Sequence, residues 1–223
     1  VLSTFPAVSA ARYPLIVLAA GIAASVIGIM VYRGKIIKNP AAGLTAGNYV
    51  AAVIIVAVSA YFSNVVLQSY VYSVCVAAGI LAVLVSGEAS KAYSIDGIIF
   101  RRNLPDVKKT GAGQSMIYSL SIGMISVVIP AVVTTAAMII AYKFASFYGI
   151  ALAAVGINSM AAVNSAVRGF AINTASASEI ASVSDPDAAS PNPADVLLTA
   201  SARSDSVGKT YTGVSAYVTL VSM

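Results

Sequence analysis

Long apolar runs separated by short polar breaks, most of them basic, make up the pattern of this chain. A helix that crosses a bilayer needs roughly 17–25 mostly apolar residues, because it rises ~1.5 Å per residue across a hydrocarbon core about 30 Å thick. Runs of that kind extend from about Tyr13 to Tyr32, Tyr49 to Leu67, Tyr70 to Ser86, Gln114 to Tyr142 and Tyr148 to Val167. A sixth, Thr210 to Met223, is short for a span. Ser63, Asn64 and Gln68 predict a tight polar turn between the second and third runs, and Pro130 predicts a kink within the fourth. The pattern predicts an all-α fold, a polytopic transmembrane helix bundle of about six spans. Residues 1–223 then form a single transmembrane domain. Only residues 182–194, rich in Pro, Ser and Asp, predict a longer irregular loop, after which Asp195 is placed to cap a helix leading to Lys209.

Composition agrees with a lipid solvent. The chain is 59% hydrophobic and 9% charged, against about 25% charged for an ordinary soluble domain. With Trp absent, an interfacial aromatic belt rests on Tyr. The net charge of +5 would suggest nucleic acid in a soluble protein, but here the cations sit between apolar runs and point to membrane orientation. With alternate loops on alternate sides, Arg33, Lys35, Lys38, Lys91, Arg101, Arg102, Lys108, Lys109, Arg168, Arg203 and Lys209 share one side. Only Arg12 and Lys143 fall on the other. The basic side is expected to face cytosol, stroma or matrix. The chain opens on Val1, so a processed or truncated N-terminal piece is expected.

Candidate chemistry is thin. His is absent, which removes His-ligated metals, haem and His-based proton shuttles. The single cysteine, Cys75, lies in an apolar run and reads as a small buried hydrophobe. Pumps and carriers keep ionisable groups inside the membrane. All eight acids here (Glu88, Asp96, Asp106, Glu179, Asp185, Asp187, Asp195, Asp205) fall in loops or at span ends. Ser206–Thr210 ends like a phosphate-binding loop but lacks the upstream glycine and strand. Rows of small residues, Ala20–Ala24–Gly28 and Gly149–Ala153, predict close helix packing.

Several motifs, in order, resemble the membrane-bound pyrophosphatases that pump protons or sodium ions. They are Arg12–Val17 with Gly21-Ile22 and Ile27-Gly28, then Lys109–Ala112 with Ser121–Met124 and Val128–Pro130, then Phe147–Gly156, then Ser206–Lys209. The resemblance implies part of that fold, an interior stretch of about six spans from a family with about sixteen. It also implies where catalytic groups should stand. Asn164 occupies the place of the first magnesium-binding Asp and Ile172 that of the next, while Asn173, Glu179 and Lys209 look like survivors; Ile125 replaces the coupling residue of the central span. Magnesium pyrophosphate needs several hard oxygen ligands, so these exchanges imply a vestigial site, with no catalytic residue, metal or cofactor. The expected role is a non-catalytic subunit of a larger membrane complex, with the bilayer and other subunits as partners and no nucleic acid. An energy-transducing organellar membrane is expected, thylakoid ahead of mitochondrial. The alternatives are part of a working pyrophosphate-driven pump, or an unrelated carrier or channel.

Overall fold

The computed structural model describes residues 7–33, 40–93, 111–184 and 193–222. They form helices α1 (Ala7–Arg33), α2 (Pro40–Leu67), α3 (Val71–Tyr93), α4 (Ala112–Ser126), α5 (Val128–Ser159), α6 (Ala161–Ser184) and α7 (Pro193–Ser222), with no strand among the described residues. This is an all-α transmembrane bundle, the architecture that satisfies every backbone amide within its own segment where water is absent.

By length and composition, four described stretches suit a membrane: Ala11–Met30, Ala46–Leu67, Val71–Tyr93 and Gly113–Ala181. The last has 69 residues, ~100 Å if it were one straight helix, far more than one crossing of a core about 30 Å thick. Three interruptions divide it. At Val127 the hydrogen-bond ladder is interrupted between α4 and α5, with the backbone still in right-handed helical geometry. At Ala145 and Ser146 (φ 53°, ψ −142°) α5 leaves helical geometry. At Met160 α5 gives way to α6. Ser146 lies in a region that L-residues avoid, at an expense of order 1–3 kcal/mol. Past that point Gly149 lies hard against the Ala141 carbonyl, so α5 is a helical hairpin with arms 128–144 and 147–159.

The reversal at Ser146 falls between the fourth and fifth runs, where the sequence places a break, and the interruption at Val127 falls three residues ahead of Pro130, the residue expected to kink the fourth. The run 114–142 is two helices, and the break falls at Val127, ahead of Pro130, which sits in the first turn of α5. Its missing N–H leaves the Ser126 carbonyl, four residues earlier, without a helical donor, and the ladder is interrupted between the two. Residues 182–184 continue α6, and α7 starts at Pro193, so most of the expected irregular loop lies outside the described residues. Between α2 and α3 the polar turn carries the bonds its residues suggest. Ser63 Oγ donates to the Ser69 carbonyl, Asn64 Nδ2 donates to Tyr70 Oη at 3.0 Å, and Gln68 takes φ 50°.

Helix crossings are close. Gly28 of α1 meets Gly47 of α2, and a Cβ on either would stand 2.6 Å from the other's carbonyl oxygen. Tyr13, fully buried, donates from Oη to the Ser59 carbonyl at 3.2 Å and ties the far end of the same pair. On α3, Val76 and Gly79 face Ala153 and Gly156 of α5, again carbonyl against glycine. Tyr72 and Tyr148 meet edge to face beside this crossing. One apolar core, including Val17, Ile55, Val76, Ile80, Leu152, Ile157 and Val218, runs through the bundle.

Candidate functional site

The positions singled out by sequence lie on α4, α6 and α7. Asn164 stands in the first turn of α6 and is fully buried. Its Nδ2 donates to the Met160 carbonyl at 3.0 Å, while its Oδ1 has no partner among the described residues. Ile172 is 58% exposed, and Asn173 and Glu179 are exposed farther along α6. Lys209 projects from α7, its Nζ 2.5 Å from Asp205 Oδ2 one turn earlier, in a pair open to solvent. Ile125, near the end of α4, points outward and is 54% exposed.

α6 and α7 pack side by side, with Ser201 Oγ donating to the Ala171 carbonyl and Gly208 receiving the stem of Arg168. The contact at Gly208 brings Lys209 next to the Arg168 stretch of α6 and leaves the other positions behind. Glu179 is eleven positions beyond Arg168, about 16 Å along a helix axis. The five vestigial positions therefore spread along α6 and α7 and do not close around one point. Among the described residues, no group of three or more His, Cys, Asp or Glu side chains is placed to hold a metal ion.

Sequence reasoning passed over Arg168. It was read as one loop-side cation, yet its Cβ and Cγ sit against Gly208 on the helix that carries Lys209. The available signal was a lone arginine between apolar residues, four positions past Asn164. Arg168 is exposed, and it supplies a cation where a metal site would need a carboxylate.

Polar side chains also bridge the helices away from these positions. Tyr49 Oη on α2 donates to Glu88 Oε1 on α3 at 2.8 Å, and Lys91 Nζ meets the same oxygen at 2.6 Å. α7 is held by the Ser90–Thr210 hydroxyl pair, by Ser215 Oγ donating to Asn158 Oδ1 at 2.6 Å, and by the Thr135–Tyr217 pair at 3.3 Å. Most remaining hydroxyls, including those of Ser121, Ser126, Thr134 and Ser159, donate to carbonyls of their own helix.

Comparison with known proteins adds a family. The family model described as "Inorganic H+ pyrophosphatase" matches residues 1–223. A Clostridium tetani protein named as a putative K(+)-stimulated pyrophosphate-energized sodium pump is 28% identical over 181 residues, covering 78% of this chain and 27% of that protein. A Bacteroides thetaiotaomicron protein of the same name is 29% identical over 161 residues, covering 66% of this chain and 22% of its own length. The chain thus spans about a quarter of the length of these relatives.

Proposed function

This chain belongs to the inorganic H+ pyrophosphatase family, and from that premise we propose that it is a non-catalytic member, kept for its helix packing within a larger membrane assembly. The observation that carries the reading is the α6–α7 contact. Where the resemblance calls for carboxylates, α6 offers a buried amide at Asn164 and an outward-facing Ile172, and between them it carries the cation Arg168, packed on Gly208. Magnesium pyrophosphate requires several carboxylate oxygens on the metal ions, and an amide or an alkyl group supplies no charge to hold them. What is retained is the set of close crossings, Gly28 with Gly47 and Gly79 with Ala153, that hold the helices together. Other subunits are the proposed partners, and the basic loops are proposed to face the cytosol, stroma or matrix. Co-purification from native membranes, thylakoid and mitochondrial inner membranes included, identifies the host.

A second reading, part of a working pump, is favoured by the names of the relatives. Phosphate release from pyrophosphate in the presence of Mg²⁺, measured on the full assembly, separates the two. We expect none above background. Turnover that disappears in the Lys209→Ala variant would mean a living site and would overturn the non-catalytic reading.

A further inference from the structure

A cavity of about 410 Å³ opens between the C-terminal end of α3, the α4–α5 break and one face of α7. Its position follows from local chemistry. Val127 interrupts the helix, and Pro130 has no N–H to return to the Ser126 carbonyl four residues earlier, so the wall at Ser126–Pro130 is not a continuous helix. Opposite it stands Gly213, where an added Cβ would meet nothing within 4 Å. A volume of this size takes a polar headgroup and part of one acyl chain, since ligand pockets run from about 300 to 1,000 Å³.

The lining is graded. Along α7 the cavity face begins with Ser206, Lys209 and Thr210 and continues with Gly213, Val214 and Tyr217. These positions recur at three and four residues, one helical stripe, polar at one end and apolar at the other. The opposing walls repeat the grade. Ser90, Tyr93 and Ser126 stand at the polar end, where α3 terminates, Val127, Pro130 and Ala131 lie along the apolar part, and beyond them Thr134 keeps its hydroxyl on the Pro130 carbonyl of its own helix. The Ser90–Thr210 hydroxyl pair fixes the polar end level with the end of α3. Among the described residues no carboxylate lines the cavity, and Lys209 is the one cation that does. Asp205 takes one of the three N–H donors of that ammonium, leaving two for a ligand.

We propose that this cavity is a phospholipid site, with the headgroup phosphate against Lys209 at the polar end and an acyl chain running past Pro130, Gly213 and Val214. The direction of the grade matches a lipid in place, with its head at the level where α3 ends and its tail toward the middle of the bundle. The shared chemistry required is a phosphodiester on an apolar chain. A diacylglycerol lacks the phosphate, and free phosphate lacks the chain. The site is independent of the loss of catalysis proposed above.

The experiment is native mass spectrometry of the full chain purified from membranes, titrated with phosphatidylglycerol or with diacylglycerol of the same acyl chains. The parent protein is expected to hold phosphatidylglycerol about tenfold more tightly than diacylglycerol. Gly213→Leu, which fills the cavity without a clash, is expected to weaken phosphatidylglycerol by at least about tenfold. Lys209→Gln is expected to erase the preference over diacylglycerol. Gly169→Leu is the control: a Cβ there also meets nothing within 4 Å, but the residue does not line the cavity, so retention should not change. Equal lipid binding by the parent and Gly213→Leu overturns the proposal. So does cross-linking of a Gly213→Cys protein to another segment of its own chain, which would show protein filling the space.

Discussion

Asn164 concentrates the contrast between a spent site and a living one in a single side chain. Its amide oxygen is buried with no donor among the described residues, a state that costs about 1–3 kcal/mol. A ligand for a metal ion would recover that energy when loaded, whereas a relic would carry it for nothing. Asn164→Leu, of similar size, is therefore expected to leave stability unchanged or raise it by up to about 2 kcal/mol, read as the melting temperature in nanodiscs. A drop of several degrees would show that the oxygen has a partner and that the vestigial reading of this position is wrong. The sequence exposed Asn164 through its place in a motif, but it could not expose burial or the missing donor. It concealed Arg168 altogether, because a cation near the end of an apolar run looks the same whether it orients the chain or packs against Gly208.

Elements were easier to read than their joints. Apolar runs of sufficient length give helices because lipid leaves the backbone no other satisfied state, and α1, α2 and α3 follow from that alone. The break at Met160 carries no such signal, whereas the reversal at Ser146 lies between two apolar runs, beside Lys143. Pro130 advertised the interruption at Val127, which lies one turn before it because the amide it lacks would have bonded the Ser126 carbonyl. The glycines at crossings were legible in part. Gly28 and Gly149 stood out by their four-residue spacing, whereas Gly79 did not, because its partner Ala153 lies on a distant run. A Cβ at Gly79 would stand 2.2 Å from the Ala153 carbonyl oxygen, and one at Gly149 2.1 Å from that of Ala141. Both clashes are with backbone, which cannot swing aside. Gly79→Leu and Gly149→Leu are each expected to destabilise the bundle by at least about 2 kcal/mol, measured as resistance to unfolding in detergent. At Gly123 a Cβ meets nothing within 4 Å, so Gly123→Leu should be tolerated. Equal tolerance at all three would mean the crossings are looser than these contacts require.

For the whole molecule, the open matter is which ends share a side of the membrane, and contacts between helices bear on it directly. Gly28 against Gly47, and Tyr49 donating to Glu88, gather the C-terminal end of α1, the N-terminal part of α2 and the C-terminal part of α3. Cys75 Sγ, near the start of α3, lies 3.7 Å from the Ala141 carbonyl, just before Lys143 and the reversal at Ser146. The loops carrying Lys35, Arg101 and Lys109 lie outside the described residues; Lys35 follows the end of α1 and Arg101 the end of α3, both on the first of these two sides, and Lys109 precedes α4. Lys143 belongs to the second. We predict that single cysteines at positions 35, 101 and 109 label from one face of the membrane and a cysteine at 143 from the other. The background is Cys75→Ser, which removes a buried thiol and leaves a hydroxyl able to donate to the same carbonyl. Charge asymmetry leads to the same arrangement independently, because basic loops are retained on the side from which the chain is inserted. An impermeant maleimide applied first to sealed and then to opened vesicles reads the outcome. Protection of 35, 101 and 109 together, reversed at 143, is the expected result. Labelling of 35 and 101 from opposite faces would break the pairing of α1, α2 and α3 seen at Gly47 and Glu88, and with it the six-span topology.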